Sequence, residues 1–330
     1  MRTLLAFLFV CLSLPSLALD WKAYPRNLPQ FDYSGDKLKA AWPELTKGTQ
    51  QEWPDAAFFK RMAEKYPQAH QYTLKQAEAP DAHPALKALA AGNSAPLVEA
   101  VQQAWRFHYE GKFKEAYELG MQLGAAGAVP AIYAKLMYST FMISAPKDKL
   151  TAFREAAAQS EALLPMTPGY NFAEFGLLYA RVRILERLNT PQALATGFLG
   201  STQKSLLQFT QNNPKNSLYP TTLGGIQAGV VERVGSMIGR VTYGATATRT
   251  IDRFEQALQL EGNLPVIYNE YIVALSRIDA DDYQKRIQCL AQKCATLTPF
   301  SAEEALNQAL CQSTYKTQEL VQEVAANFDH

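Results

Sequence analysis

The sequence predicts an all-α protein, and three observations carry that reading. Beyond Ser94, amphipathic segments recur with a break by Gly, Pro or Asn every twelve to eighteen residues. Within them apolar positions keep the helical period, as Leu97, Val101, Ala104, Trp105 and His108 do. No period-2 alternation long enough for a half-buried strand interrupts the series.

Taken in order, the first eighteen residues hold one charge, Arg2, then the apolar run Leu4 to Leu14 and the small residues Ser16 and Ala18. This is the layout of a secretory signal peptide cleaved after Ala18, and the run is too short to span a bilayer of about 30 Å. A lipid anchor needs a Cys at the cleavage site, whereas Cys11 lies inside the apolar run. The expectation is a periplasmic or secreted protein whose mature chain does not insert into a membrane. Residues 19–95 form an aromatic and Pro-rich segment, with Trp21, Tyr24, Pro25, Pro29, Trp42, Pro43, Trp53 and Pro54, that breaks helices into short pieces. Its clearest helices are Asp55 to Tyr66 and Ala85 to Ala91, and the segment is expected to cap an exposed apolar end of the body.

Residues 96–330 make the helical body. Ser94 and Pro96 start its first helix. Further helices are expected over Phe113 to Leu123, Pro130 to Ile143, Leu150 to Leu163, Phe172 to Leu188, Ser201 to Phe209 and Thr221 to Ile238. Five more follow over Ala247 to Leu260, Val266 to Ile278, Asp282 to Ala295, Ala302 to Tyr315 and Thr317 to Asn327.

A phrase of about 34 residues recurs in this body. Gly111, Lys112, Phe113, Lys114, Glu115 and Ala116 make a Gly-x-aromatic-x-x-Ala turn after a helix bearing Trp105, Phe107 and Tyr109. Phe254 to Glu261 form a second-helix ending, and Tyr268 to Ala274 with Thr296 to Pro299 make a looser copy. In these residues the chain resembles tetratricopeptide-like helical repeats over about half of its mature length, which implies stacked helical hairpins in an irregular α-solenoid with a concave binding face. Between Asn171 and Arg249 segment lengths depart from the period and leave the register open. From Thr242 onward the helix order also resembles the T-component of tripartite ATP-independent periplasmic transporters, which implies an exported protein associated with a solute-binding partner.

Charge excludes some roles. Loss of Arg2 with the signal peptide brings the 32 basic residues to parity with the 31 acidic ones, so no overall field draws nucleic acid. One stretch is uneven: from Arg187 to Ile251 the only acid is Glu232, against Arg187, Lys204, Lys215, Arg233, Arg240 and Arg249. Arg233 and Arg240 stand seven apart, and with Tyr243 and Arg249 they form the candidate ligand-binding cluster for an anion or an acidic partner surface. The alternative for the same residues is a solvated face with local ion pairs.

Cys289, Cys294 and Cys311 remain beyond the signal peptide, an odd number. A hairpin turning near residue 299 puts Cys289 level with Cys311, while Cys294 sits on the apolar stripe of Ile287, Leu290 and Leu297. The expected disulfide is therefore Cys289 to Cys311. The four histidines are scattered, so no metal site is expected. Nucleophile elbows, phosphate loops and dinucleotide fingerprints are absent, so no cofactor is expected. The acid pairs Asp281 with Asp282 and Glu303 with Glu304 stand at helix starts, where they favour the helix dipole. The aromatics Trp105, Tyr109, Tyr170 and Tyr179 either line a groove or pack between helices.

These readings point to a non-catalytic periplasmic binder of a protein partner or extended ligand. The alternatives are an accessory subunit of a solute transporter that binds a small organic anion, and an enzyme of unrecognised type. An open groove favours the first, an enclosed cavity the second, and a carboxyl or His with a shifted pKa in a cleft the third.

Overall fold

The computed structural model describes residues 20–328, with side chains as far as residue 317. The expected signal peptide lies outside the described residues. Every regular element among them is helical: α1 (Lys37–Leu45), α2 (Ala56–Lys65), α3 (Pro67–Gln76), α4 (Pro84–Ala90), α5 (Ala95–Tyr109), α6 (Phe113–Gln122), α7 (Gly124–Phe141) and α8 (Pro146–Leu163) lead. They are followed by α9 (Asn171–Leu185), α10 (Thr190–Ala195), α11 (Phe198–Asn212), α12 (Leu218–Ile238), α13 (Ala247–Leu260), α14 (Pro265–Asp279), α15 (Gln284–Ala295) and α16 (Ala302–Phe328). No described helix is long and apolar enough to cross a membrane.

Local chemistry sets many boundaries. The Asp55 carboxylate accepts the Phe58 N–H at 2.8 Å to start α2, and the Thr246 hydroxyl accepts the Arg249 N–H at 3.1 Å to start α13. Ser301 and Glu304 form a capping pair at α16, where the Ser301 hydroxyl accepts the Glu304 N–H and the Glu304 carboxylate reaches the Phe300 N–H. Gly111, between α5 and α6, has a φ of 80°, and a side chain there would meet the Tyr24 ring at 2.7 Å and Ala302 at 2.9 Å.

Consecutive helices pack on one another from α4 to α9, then α9 on α11, α11 on α12, and α12 on both α13 and α14. Helices two apart also touch, as α5 does α7 and α7 does α9. The last helix returns to the first long one. α16 touches α5, and Ala302 and Leu306 lie in the same apolar core as Trp105, Phe113, Leu136 and Phe153. Burial of such side chains contributes roughly 1.5–3 kcal/mol each.

The Pro-rich N-terminal segment binds these parts together. Trp42 packs edge-on against Trp53, Trp105 and Tyr109. Gly48 accepts the Ser217 N–H at 3.0 Å, which joins the segment to the start of α12. The Tyr33 N–H donates to Glu110 at 2.8 Å, its hydroxyl donates to the Phe300 carbonyl, and Lys47 pairs with Glu304 at 3.4 Å.

Several expectations change. α7 begins at Gly124 rather than Pro130, because its small residues cross α6 closely at Gly120 and Gly127, which compensates for the hydrogen bond lost at the proline. α16 is one helix where two were expected, since nothing near Lys316 breaks it. Helices α1, α3 and α10 were not anticipated from periodicity.

The disulfide is also different. Cys294 pairs with Cys311, with their Cα atoms 6.0 Å apart, and Cys289 is free and exposed. Helical phase decides this over height along the hairpin: Cys289 lies about 140° around α15 from Cys294, on the solvent side. The bridge closes a 17-residue separation. Cys311→Ala should therefore lower stability by about 3 kcal/mol in urea unfolding under non-reducing conditions, whereas Cys289→Ser should leave it within about 0.5 kcal/mol. Equal effects of the two substitutions would disprove the pairing.

Candidate ligand-binding cavity

Where α16 closes against α5, a chamber of about 110 Å³ remains between α5, α7, α9, α12, α14 and α16. Leu45, Gly48, Thr49 and Gln51 of the N-terminal segment line it as well. Its apolar wall is aromatic: Trp105, Tyr109, Tyr133, Phe172, Phe175 and Tyr179. Five charged residues stand among them, Arg183 and Glu186 on α9, Glu270 on α14, and Glu303 and Glu304 on the first turn of α16.

Four of the five are partnered within the protein. Arg183 bonds Glu186 at 3.1 Å and also pairs with Glu270 across to α14. Glu186 further accepts Arg277 at 3.2 Å and Arg187 at 3.4 Å, and these cations hold its carboxyl below the ordinary value despite burial. Glu304 is held by Lys47 and the Phe300 N–H.

Glu303 is the exception. Its carboxyl has no hydrogen bond and no ion pair among the described residues. Burial, with a contribution from the charge of Glu304, pushes it up to about 7 from 4.5, and Arg183 only partly offsets the rise. Beside it, the Tyr109 hydroxyl also lacks a partner, and its pKa is raised by burial and by Glu303 and Glu304. His108, on the same wall, is driven down to about 3 by burial and stays neutral. The chamber thus offers a proton-accepting carboxyl and a phenol, framed by aromatic faces, to whatever enters.

Two larger chambers share its walls. On one side an apolar chamber of about 440 Å³, lined by Phe58, Phe59, Met62, Tyr66, Val129 and Tyr170, has Gln51 and Trp105 in common with it. On the other a chamber of about 380 Å³ shares Val182, Glu186 and Gly225.

The residues singled out from sequence fall beside this second chamber and separate there. Arg233 and Tyr243 line it, with the Arg233 guanidinium donating to the Leu185 carbonyl at 2.8 Å. Arg240 and Arg249 lie outside it and are exposed, and Arg249 donates to the Gly244 carbonyl at 2.6 Å. The seven-residue spacing fails to put Arg233 and Arg240 on one face because Gly235 between them leaves the helical region, at φ 76° and ψ 163°.

The central residues Arg183, Glu270 and Glu303 were missed, since they come from three helices far apart in sequence. Glu303 carried one local signal: Glu304 occupies the capping position, which leaves its neighbour without a capping bond at the helix start. No cluster of three potential metal ligands occurs among the described residues. No family model, curated protein or solved structure matches the chain.

Because the folded-state value of Glu303 lies above its ordinary value, the folded protein binds more protons than the unfolded chain between about pH 4.5 and about pH 7. Stability linked to this group is full below that window and lost as pH rises through it. Glu303→Gln should match the natural protein in thermal unfolding near pH 4.5 and exceed it above pH 7, by on the order of 2 kcal/mol. Parallel curves across that range would show that the carboxyl is not held in its neutral form.

Proposed function

We propose that this protein is an exported, tetratricopeptide-like helical binder that captures a small amphipathic amine in its central chamber and performs no chemistry on it. The observation that carries the reading is the Glu303 carboxyl, unpaired among aromatic walls. An ammonium group supplies the donors that this carboxyl and the Tyr109 hydroxyl lack, and the faces of Trp105 and Tyr133 favour a cation. The central chamber is small enough to take only the head of such a ligand, and the 440 Å³ apolar chamber behind Trp105 suits its body.

A recess walled by six helices supports a ligand chamber over an open concave groove for a protein partner. It equally suits the accessory subunit of a periplasmic solute transporter. The chemistry of the chamber disfavours a small organic anion, since the unpaired group is an acid and Arg183 already holds two carboxylates. An enzyme is favoured by one feature, a carboxyl that is half ionised near pH 7 and so suited to proton transfer. The disulfide between Cys294 and Cys311 fits an oxidising compartment outside the cytoplasm.

The test is a thermal-shift panel of alkylamines against matched carboxylates, followed by calorimetry of the best amine. Amines should stabilise and carboxylates should not. Near pH 7 binding should release about half a proton, because the ammonium returns Glu303 to its ionised form. Glu303→Gln should abolish that release and weaken binding by roughly tenfold to a hundredfold, the effect of a lost charge-assisted hydrogen bond. Stabilisation by carboxylates, or affinity unchanged in Glu303→Gln, would sink the reading. Recovery of a chemically altered amine would make the protein an enzyme.

A further inference from the structure

The end of α12 presents apolar side chains that the protein itself does not cover. After the break at Gly235 the helix resumes, runs into a π-helical turn over Gly239–Tyr243, and stops at Gly244. Along it Val241 is 82% exposed, Met237 81% and Ile238 55%, more than any other large apolar residue among those described. Three such residues within five positions form a protruding ridge rather than a scatter.

The ridge is held in place, not frayed. The Ala245 N–H donates to the Gly239 carbonyl at 2.9 Å, and both residues are buried. Gln203 of α11 donates to the Tyr243 carbonyl at 3.3 Å, and Arg249 closes the turn at Gly244.

Its surroundings are cationic. Arg240 projects from the ridge, exposed and without a hydrogen bond or ion pair among the described residues, and the exposed Arg249 and Lys204 stand on the elements packed beside it. The only acid between Arg187 and Ile251 is Glu232, which faces Arg277 at 3.7 Å. A convex apolar ridge with unneutralised basic residues at its base is the layout of a segment that seats in the headgroup region of a bilayer.

We propose that this ridge docks the protein on the surface of a membrane rich in anionic phospholipid, with Met237, Ile238 and Val241 among the acyl chains and Arg240 at the phosphates. The contact is peripheral. It also has a geometric consequence: Val234, Tyr243 and the half-exposed Leu194 line the 380 Å³ chamber beside the ridge, so docking brings that chamber to the lipid surface. This inference is independent of the amine reading, since it uses none of the central residues.

The test is co-sedimentation of the chain from Leu19 onward, which holds every described residue, with vesicles of phosphatidylethanolamine and phosphatidylglycerol or of phosphatidylcholine alone. Binding should occur on the anionic vesicles and fall at least about tenfold on neutral ones or in about 1 M salt. Met237→Ser with Val241→Ser should lose at least about tenfold. Arg240→Gln, which removes no packing, should lose about fivefold, the share of one cation near an anionic surface. If the double variant melts early, Arg240→Gln decides. No binding by the natural chain, or binding that neither variant weakens, would overturn the proposal. So would concentration-dependent dimers that the double variant dissolves while vesicles stay bare, because the ridge would then join two copies of this chain.

Discussion

The guanidinium of Arg183 sits inside the protein, and a buried charge of that size costs several kcal/mol unless it is matched. Glu186 and Glu270 match it, and in doing so they tie α9 to α14. Glu186 is matched in turn by Arg187 and Arg277, and Arg277 faces Glu232 on α12. Three helices are thereby joined by polar contacts at a level where the rest of the molecule packs apolar side chains. They do not collapse into dry contact there, and the space that remains is the central chamber. Glu303 enters that space from a fourth helix, where burial and the charge of Glu304 push its carboxyl up to about 7 and the nearby cation Arg183 is already engaged.

The chamber is walled in because α16 returns to the body of the protein. A row of helices packed only on their neighbours would leave an open concave face, whereas here α16 comes back to α5 and shares its core. The Pro-rich segment before α2 secures that closure. It also places backbone groups against the body, as Gly48 does with Ser217 and Tyr33 with Glu110. Lys47 and Tyr33 both reach the turn that begins α16, so the Pro-rich segment holds the start of that helix. The Cys294 to Cys311 bridge stiffens the same hairpin from its far side.

Much of the helical framework was legible because its causes are local. α13 runs over Ala247–Leu260 as expected from its period, with Thr246 as its cap, and α2 starts at the expected place after its Asp55 cap. The turn at Gly111 was legible for the same reason, since the left-handed backbone and the neighbouring Phe113 are written side by side. The candidate cluster of arginines was drawn on the assumption of an unbroken helix, and one glycine with a non-helical backbone undid it. The disulfide was misassigned because distance from the turn was weighed above helical phase. A half-turn error of phase moves a side chain from core to solvent, while a few residues of height move it only a few ångströms.

By itself the sequence determined the all-α class, most helix boundaries, the aromatic character of the N-terminal segment and the cationic stretch after Arg187, because each depends on residues within a few positions of one another. Only the tertiary structure decided that the array closes on itself, which cysteines pair, and that Arg183, Glu270 and Glu303 share one chamber. The closure and the shared chamber rest on contacts between helices far apart in the chain, as between Arg183 and Glu270, and the disulfide rests on the relative phase of two packed helices. Such contacts are settled by the matching of buried charge and shape, and no local pattern records them.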